Sequence, residues 1–321
     1  MSSTEDNKKV WFIAGSSSGI GLGIVQRLVE LGHSVASTSR LDTDALLHNV
    51  KEGIIANATT ANYLPLKVDL TSDESVKQAL TATVERFGRL DVVVNNAGFA
   101  MCGTIEELSD AELKEQFEIN VFAAARVMRL SAPILRQQKS GYVINMSSLV
   151  GIWGHVAGIG AYCASKFAIS GLTESFQTEM EPFGIKATAI HPGYFRSEML
   201  DEKSMKLAKT SLDAYKASHD HYNKHRDEVH HQQRGDPKKL GEVLVKIVNY
   251  KGDKTPTHVF IGPDSVHMAR TQVKRYLTEL DEWEPESTNT DFDHLKGTDI
   301  PENHPKVLIS SAASETDSSV F

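Results

Sequence analysis

One stretch of this chain carries side chains that could move a proton. From Ser148 to Lys166 it reads SLVGIWGHVAGIGAYCASK. Tyr162 and Lys166 are four residues apart, so on a helix their side chains share a face. Tyrosine's unperturbed pKa is ~10, too high for an efficient base near neutral pH. A lysine charge about 4 Å away, at an effective dielectric of ~20, is worth ~4 kcal/mol. That could lower the phenol by up to about three units. Tyrosine and lysine also meet at this spacing on many ordinary helices. The reading therefore depends on what the rest of the chain places beside them.

The N-terminal half holds the elements that would do the placing. Val10 to Ala14 is a short apolar run of strand type. It enters GSSSGIGLG at Gly15 to Gly23, then IVQRLVELG, which has helical periodicity and a glycine stop. Strand, glycine turn and helix form the context of a dinucleotide motif. Gly15 allows the tight turn. Gly19 and Gly21 let the backbone approach a pyrophosphate, and the helix-start amides then face the phosphates. The spacing is GxxxGxG, and no GK[ST] follows, so it is not a Walker loop. Ser34 to Ser39 reads as the second strand. No acidic residue ends it to grip a ribose 2′-hydroxyl; Arg40, beside Ser39, suits a 2′-phosphate and hence NADP(H).

Alternation continues along the chain. Strands are expected at 63–68, 91–94, 141–146, 185–190 and 257–261, with helices between them, including a long one over 110–138. Ser72 caps the helix to Phe87, and Asp236 with Pro237 starts another. The pattern predicts one α/β domain, a doubly wound parallel sheet of about seven strands with helices on both faces. Ligands in such sheets bind beyond the strands' carboxyl ends, where Gly15, Arg40, Asp69 and Asn95 fall. Residues 197 to 235 break the alternation and read as a substrate lid. The core domain spans 9–283, after a flexible 1–8 and before a mobile tail at 284–321.

Composition narrows the function classes. The net charge is −8, and residues 284–321 hold eight acidic and two basic residues, so the body is nearly neutral. That argues against a nucleic-acid surface or a polybasic membrane patch. No run approaches the roughly 18 apolar residues of a membrane span. Two cysteines, Cys102 and Cys163, fit a reducing compartment, and a cytoplasmic protein is expected.

The motifs AGSSSGIG at 14–21, NNAG at 95–98, Asn120, Ser148, YCASK at 162–166 and HPGYFRSE at 191–198 together resemble the short-chain dehydrogenase/reductase family. NNAGF, HPGYFR and GDP are most similar to its 17β-hydroxysteroid and retinol dehydrogenase-like subgroup. The resemblance implies a Rossmann-type fold and a catalytic set of Ser148, Tyr162, Lys166 and Asn120, with Asn120 holding a water that links Lys166 to solvent. It implies that Gly15, Ser16, Ser18, Gly19, Ile20 and Gly21 form the phosphate loop. Asp69 and Leu70 would meet the adenine, and Asn95 and Gly98 the adenosine-side ribose and sheet. Pro192, Gly193 and Ser197 would frame the nicotinamide, and Lys166 would hold its ribose. Ala14 departs from the family's usual threonine, which costs a brace within the sheet. The implied reaction is NADPH-dependent reduction of an apolar ketone or aldehyde, or its reverse on the alcohol, in a homodimer or homotetramer. Two other readings stay open: recruitment to an imine reduction or cyclisation, and a dinucleotide-sensing regulator without turnover.

Phe99, Met101, Trp153, His155 and Tyr194, with Phe195, are expected around an apolar substrate pocket. The lid histidines His219, His221, His225, His230 and His231 are expected to form a solvated face, with no metal.

Overall fold

The computed structural model describes residues 8–55, 60–201, 204–230, 232–252 and 254–295. The segment before Lys8, His231 and the chain beyond 295 lie outside the described residues, as does the His225 side chain. The chain falls into two units, 1–272 and 273–321.

In the first unit the strands are β1 (Val10–Ala14), β2 (Ser34–Ser39), β3 (Tyr63–Lys67), β4 (Val92–Asn95), β5 (Ala100–Cys102), β6 (Gly141–Met146), β7 (Ile185–Pro192), β8 (Met205–Leu207) and β9 (His258–Ile261). The helices are α1 (Gly19–Glu30), α2 (Thr43–Gly53), α3 (Asp73–Phe87), α4 (Asp110–Phe117), α5 (Ala123–Gln138), α6 (Gly160–Met180), α7 (Lys216–Val229) and α8 (Pro237–Val248). A last helix, α9 (Pro263–Ser287), starts here; its residues from Val273 belong to the second unit. In the second unit Arg275 pairs with Glu279 at 2.7 Å.

Seven strands form one sheet in the order β3-β2-β1-β4-β6-β7-β9, every neighbouring pair parallel. Both faces are covered, and the central strands β1 and β4 are nearly continuous runs of apolar residues. Side chains alternate between the faces. Trp11 and Ile13 pack with Ile24 and Leu28 of α1 and Leu240 and Leu244 of α8. Phe12 and Ala14 pack on the other face with Leu80 of α3, Val127 of α5 and Phe176 of α6. A Phe12→Ala truncation in such a core costs about 3–5 kcal/mol.

Caps fix where helices begin. Ser72 accepts a hydrogen bond from the Ser75 amide, and Asp236 from the Lys238 amide, with Pro237 in the first turn of α8. The long helix expected over 110–138 is broken. Residues Glu118–Phe122 form a π-helical turn in which the Ala123 amide reaches the Glu118 carbonyl. Such a turn inserts an extra residue and re-aims what it carries, here Asn120.

The segment expected to be a lid is tied to the body of the fold. β8 pairs with β5, making a small second sheet. Glu112 accepts from the Lys209 amide at 3.0 Å and Glu107 from the Leu212 amide at 2.8 Å. His219 of α7 also meets Glu107 at 2.6 Å. Burial opposes the charge of Glu107, yet hydrogen bonds from the Leu212 and Thr104 amides, the Thr104 hydroxyl and His219 hold it down at about 2.

Candidate active site

The turn after β1 makes a cradle. Gly15 has φ +86° and Gly19 φ +55°, both in the left-handed region. A Cβ on Gly15 would sit 2.6 Å from Ala97, and one on Gly21 2.1 Å from the Gly15 carbonyl oxygen. The Ser16 side chain does not face the cleft; it is buried and donates to the Thr38 carbonyl at 3.1 Å, tying the loop to β2. Ser18, the N-cap of α1, makes no side-chain bond to the helix, and no acidic residue lies in the first turn. Those amides are therefore left for an anion.

This cradle opens on a cleft of about 910 Å³. Gly15, Ser18, Gly19, Ile20, Ser39, Arg40, Asp69, Leu70, Gly98 and Ser197 line it; Gly21 does not, and packs instead against the Gly15 carbonyl behind the turn. Hydrogen bonds from the Thr71 hydroxyl and amide hold the Asp69 carboxyl below its usual range. Asn95 departs from expectation. It is buried and donates to Asn145 Oδ1 on β6 at 2.7 Å, so its side chain braces the sheet while Asn96 lines the cleft. Ala14 lacks the hydroxyl brace, but its carbonyl accepts from the Asn96 and Ala97 amides at 3.0 and 2.8 Å.

A second cavity, about 460 Å³, adjoins the first and shares Ile20, Asn96, Ser197 and Met199 with it. Ser148, Tyr162 and Lys166 line its wall with Pro192 and Gly193. The Tyr162 and Ser148 hydroxyls are hydrogen-bonded. Burial nevertheless pushes the phenol up to about 12, against the Ser148 bond that lowers it. Burial also pushes the Lys166 ammonium down to about 8. The expected lowering of the phenol by Lys166 is thus overturned for the protein's own groups. Lys166 Nζ sits 5.7 Å from the Tyr162 ring centre and donates to the Met146 carbonyl at 2.8 Å. Desolvation outweighs the remaining attraction.

Asn120 is buried on the π-helical turn, its amide gripping both the Phe99 amide and carbonyl at 3.0 Å and Ser165 Oγ at 3.1 Å. A Cβ on Gly98 would lie 3.2 Å from Asn120 Oδ1 and 3.5 Å from Lys166 Nζ. Asn120 therefore sits beside Lys166, with its side chain occupied in holding the chain at Phe99.

Of the expected pocket residues, Trp153 and Tyr194 line the cavity, as does Phe195. Three do not. Met101 is buried in a small cluster with Leu108 and Ala161. Phe99 belongs to the same cluster and reaches the cleft instead. Side chains alternate along β5, so Ala100 and Cys102 face the cavity while Met101 turns the other way, and Gln116 of α4, which accepts from the Met101 amide and donates to the Phe99 carbonyl, holds the strand in that setting. His155 is exposed, its ring edge-on to Trp153 at 5.1 Å. Sequence reasoning missed Cys102, Val156, Met205, Tyr222 and Asp264 in the wall. Asp264 accepts from the Tyr194 amide at 2.6 Å and fixes the turn after β7. Only the GPD turn at 262–264, a helix start, marks it in the sequence. His221 lines the cavity mouth, and among the described residues no cluster of His, Cys, Asp and Glu could hold a metal.

The family model for the short chain dehydrogenase matches residues 9–208. The chain belongs to the short-chain dehydrogenase/reductase family. This short-chain dehydrogenase is 30% identical over 275 residues to oxidoreductase BOA17 of Botryotinia fuckeliana, covering 86% of this chain and 96% of that one. It is 30% identical to retinol dehydrogenase 8 of Bos taurus, over 76% of this chain and 78% of that one. A short-chain dehydrogenase crystal structure from Streptomyces avermitilis superposes with TM-score 0.76 at 33% identity, covering 89% of this chain and all of that one. The fold binds a nicotinamide dinucleotide, and the chain is an oxidoreductase. Among the described residues no helix is long and apolar enough to cross a membrane.

Proposed function

We propose that this enzyme uses NADPH to reduce an apolar ketone or aldehyde, and runs in reverse on the corresponding alcohol. The observation that carries the reading is the junction itself. Ser148, Tyr162 and Lys166 share one largely apolar cavity, which meets the glycine-lined cleft at Ile20, Asn96, Ser197 and Met199. The cleft suits the dinucleotide: Gly15 and Gly21 let the turn close against Ala97 and on itself, and the α1 amides are uncapped. Gly15, Ser18, Gly19 and Ile20 would hold the pyrophosphate, and Arg40 the 2′-phosphate that separates NADPH from NADH. When bound, the nicotinamide supplies or accepts the hydride.

The chain's own groups do the rest. Ser148 Oγ holds the substrate oxygen. The Tyr162 phenol, held up at about 12, is fully protonated at neutral pH and is the acid that reduction requires. It gives its proton to that oxygen. Lys166, in the same wall, would hold the nicotinamide ribose. Leu149, Val150, Trp153, Met199 and Met205 exclude water from the reacting carbon. The apolar wall, and the name of the bovine relative, support an apolar substrate.

Carbonyl compounds assayed with NADPH by nicotinamide absorbance test this. Tyr162→Phe should lower kcat by at least about 1,000-fold, since general acid catalysis contributes up to 10⁴-fold, with NADPH affinity kept. Near-normal turnover in that variant would sink the assignment.

A further inference from the structure

His191 lies on β7 immediately before Pro192, and only 1% of it is exposed. Its Nδ1 is 2.9 Å from the Ser148 carbonyl oxygen. Its Nε2 is 3.0 Å from Nδ1 of His258 on β9. His258 Nε2 in turn is 2.9 Å from Glu174 Oε1 on α6. The register places Ala189 opposite His258 and His191 opposite Phe260, so both histidines point to one face of the sheet. His191 also stacks on Phe260, ring centres 4.6 Å apart.

The two ends decide the direction of each bond. A carbonyl oxygen only accepts, so His191 donates to Ser148 from Nδ1. Burial, aided by His258 and Lys166 and opposed by the Ser148 bond, pushes His191 down to about 4, so the ring is neutral. Its Nε2 must then accept from His258 Nδ1. The Glu174 carboxylate also accepts, so the full chain of three bonds forms when His258 is an imidazolium donating at both nitrogens, the form that pairs with Glu174.

We propose that His191, His258 and Glu174 are positioning residues for Ser148: they tie the loop that carries it to the helix that carries Tyr162 and Lys166. This rests on the active-site reading above. Tyr162 and Glu174 are twelve residues apart on α6, a span of about 18 Å of helix. Ser148 Oγ meets Tyr162 at one end of that rod, and the Ser148 carbonyl is linked to Glu174 near the other. The loop is held from both sides, and the Ser148–Tyr162 bond is fixed in length. The charged and titratable groups facing the chain are Lys166 and Glu174 from α6 and His258 from β9.

Four variants test it: His191→Phe, which keeps a ring against Phe260 but loses the donor; His191→Asn, which keeps a donor; Glu174→Ala; and Glu174→Gln. For each, kcat and KM on a ketone the wild type reduces, NADPH affinity by fluorescence, and the pH profile of alcohol oxidation are measured. His191→Phe should lower kcat about 10- to 100-fold, as misplacement of a reacting group does, with NADPH affinity unchanged. The rising limb of the oxidation profile should move to higher pH, because a displaced Ser148 no longer lowers the phenol. His191→Asn should recover most of the kcat. Glu174→Ala should move both readings the same way by less, and Glu174→Gln less again. Glu174 lies at the surface, so its variants decide the matter if the His191 variants fail to fold. An unmoved pH limb in folded His191→Phe or in Glu174→Ala, or an Asn variant no better than Phe, overturns the proposal. Tyr162→Phe is run alongside. If it retains turnover, the active-site reading falls and this proposal with it; if it loses turnover while the pH limb stays put, only this proposal falls.

Discussion

The dinucleotide cleft and the substrate cavity touch, yet they are made of different material. The cleft is largely backbone: glycines at positive φ, uncapped helix amides and the ends of β1, β2 and β4. The cavity is largely side chain, gathered from the 148–162 loop, the turn after β7, the lid and the start of α9. A backbone cradle has no slack, because an added methyl meets another main chain. A side-chain wall can be resized one residue at a time without moving its neighbours' backbones. The difference separates what the family shares from what this chain selects.

The sharpest way to break the contrast is at Gly21, whose Cβ would sit 2.1 Å from the Gly15 carbonyl. Gly21→Val should weaken dinucleotide binding by up to about 150-fold and lower the melting temperature, since overpacking costs about 1–3 kcal/mol. Retained binding by calorimetry would show that the turn can yield.

Acid should strike the cavity side and the far end of the sheet. His33, which accepts from the Lys9 amide at the amino end of β1, away from the cleft, is pushed down to about 4 by burial, and so is His191 beside the cavity. Each has a folded pKa below the unfolded 6.5, so the unfolded chain takes up the proton first. Stability is therefore lost as pH falls from 6.5 towards 4, by up to about 3 kcal/mol for each ring at ~1.4 kcal/mol per unit. Urea midpoints measured across that window, repeated in His33→Phe, divide the loss between the two regions. A flat profile would remove the buried neutral rings from the account.

Arg40→Ala should reduce kcat/KM with NADPH about 10- to 100-fold, as losing a charge-assisted bond of about 1.5–3 kcal/mol does, and leave NADH unaffected. Equal losses with both cofactors would make Arg40 a surface residue of the cleft. Trp153→Ala should give the smallest effect, a rise in ketone KM of about 5- to 10-fold, roughly the 1–3 kcal/mol of a resized apolar pocket. Unchanged NADPH affinity in that variant is what the contrast demands.

The same contrast explains what could be read in advance. A glycine that needs positive φ, or an Asp-Pro pair that starts a helix, is a local requirement, so Gly15, Gly19 and the α8 start were legible. Arg40 and Asp69 were legible because strand ends point one way in a parallel sheet. Phe99, Met101 and His155 went astray because no local pattern states which way a loop residue turns. For the first two, the pairing of β5 with β8 and the hold of Gln116, fifteen residues beyond Met101, set which residues of the alternation face the cavity. Asn95 was misplaced since its neighbour in the motif, Asn96, takes the cleft. The π-helical turn at Asn120 leaves no trace in a helical periodicity that continues on both sides. Asp264 and the His191–His258–Glu174 chain exist only once β7, β9 and α6 are assembled.

Glu107 and Glu112 bear on the setting of the cavity wall. Each carboxylate clasps a main-chain amide of the lid, at Leu212 and Lys209, from the loop and helix beyond β5. Two such clasps, with the β8–β5 pairing before them and the His219–Glu107 contact after them, hold the segment to the body of the fold. The cavity wall that carries Met205 ahead of the clasps and Tyr222 beyond them is thereby held in place by two carboxylates that lie outside the cavity.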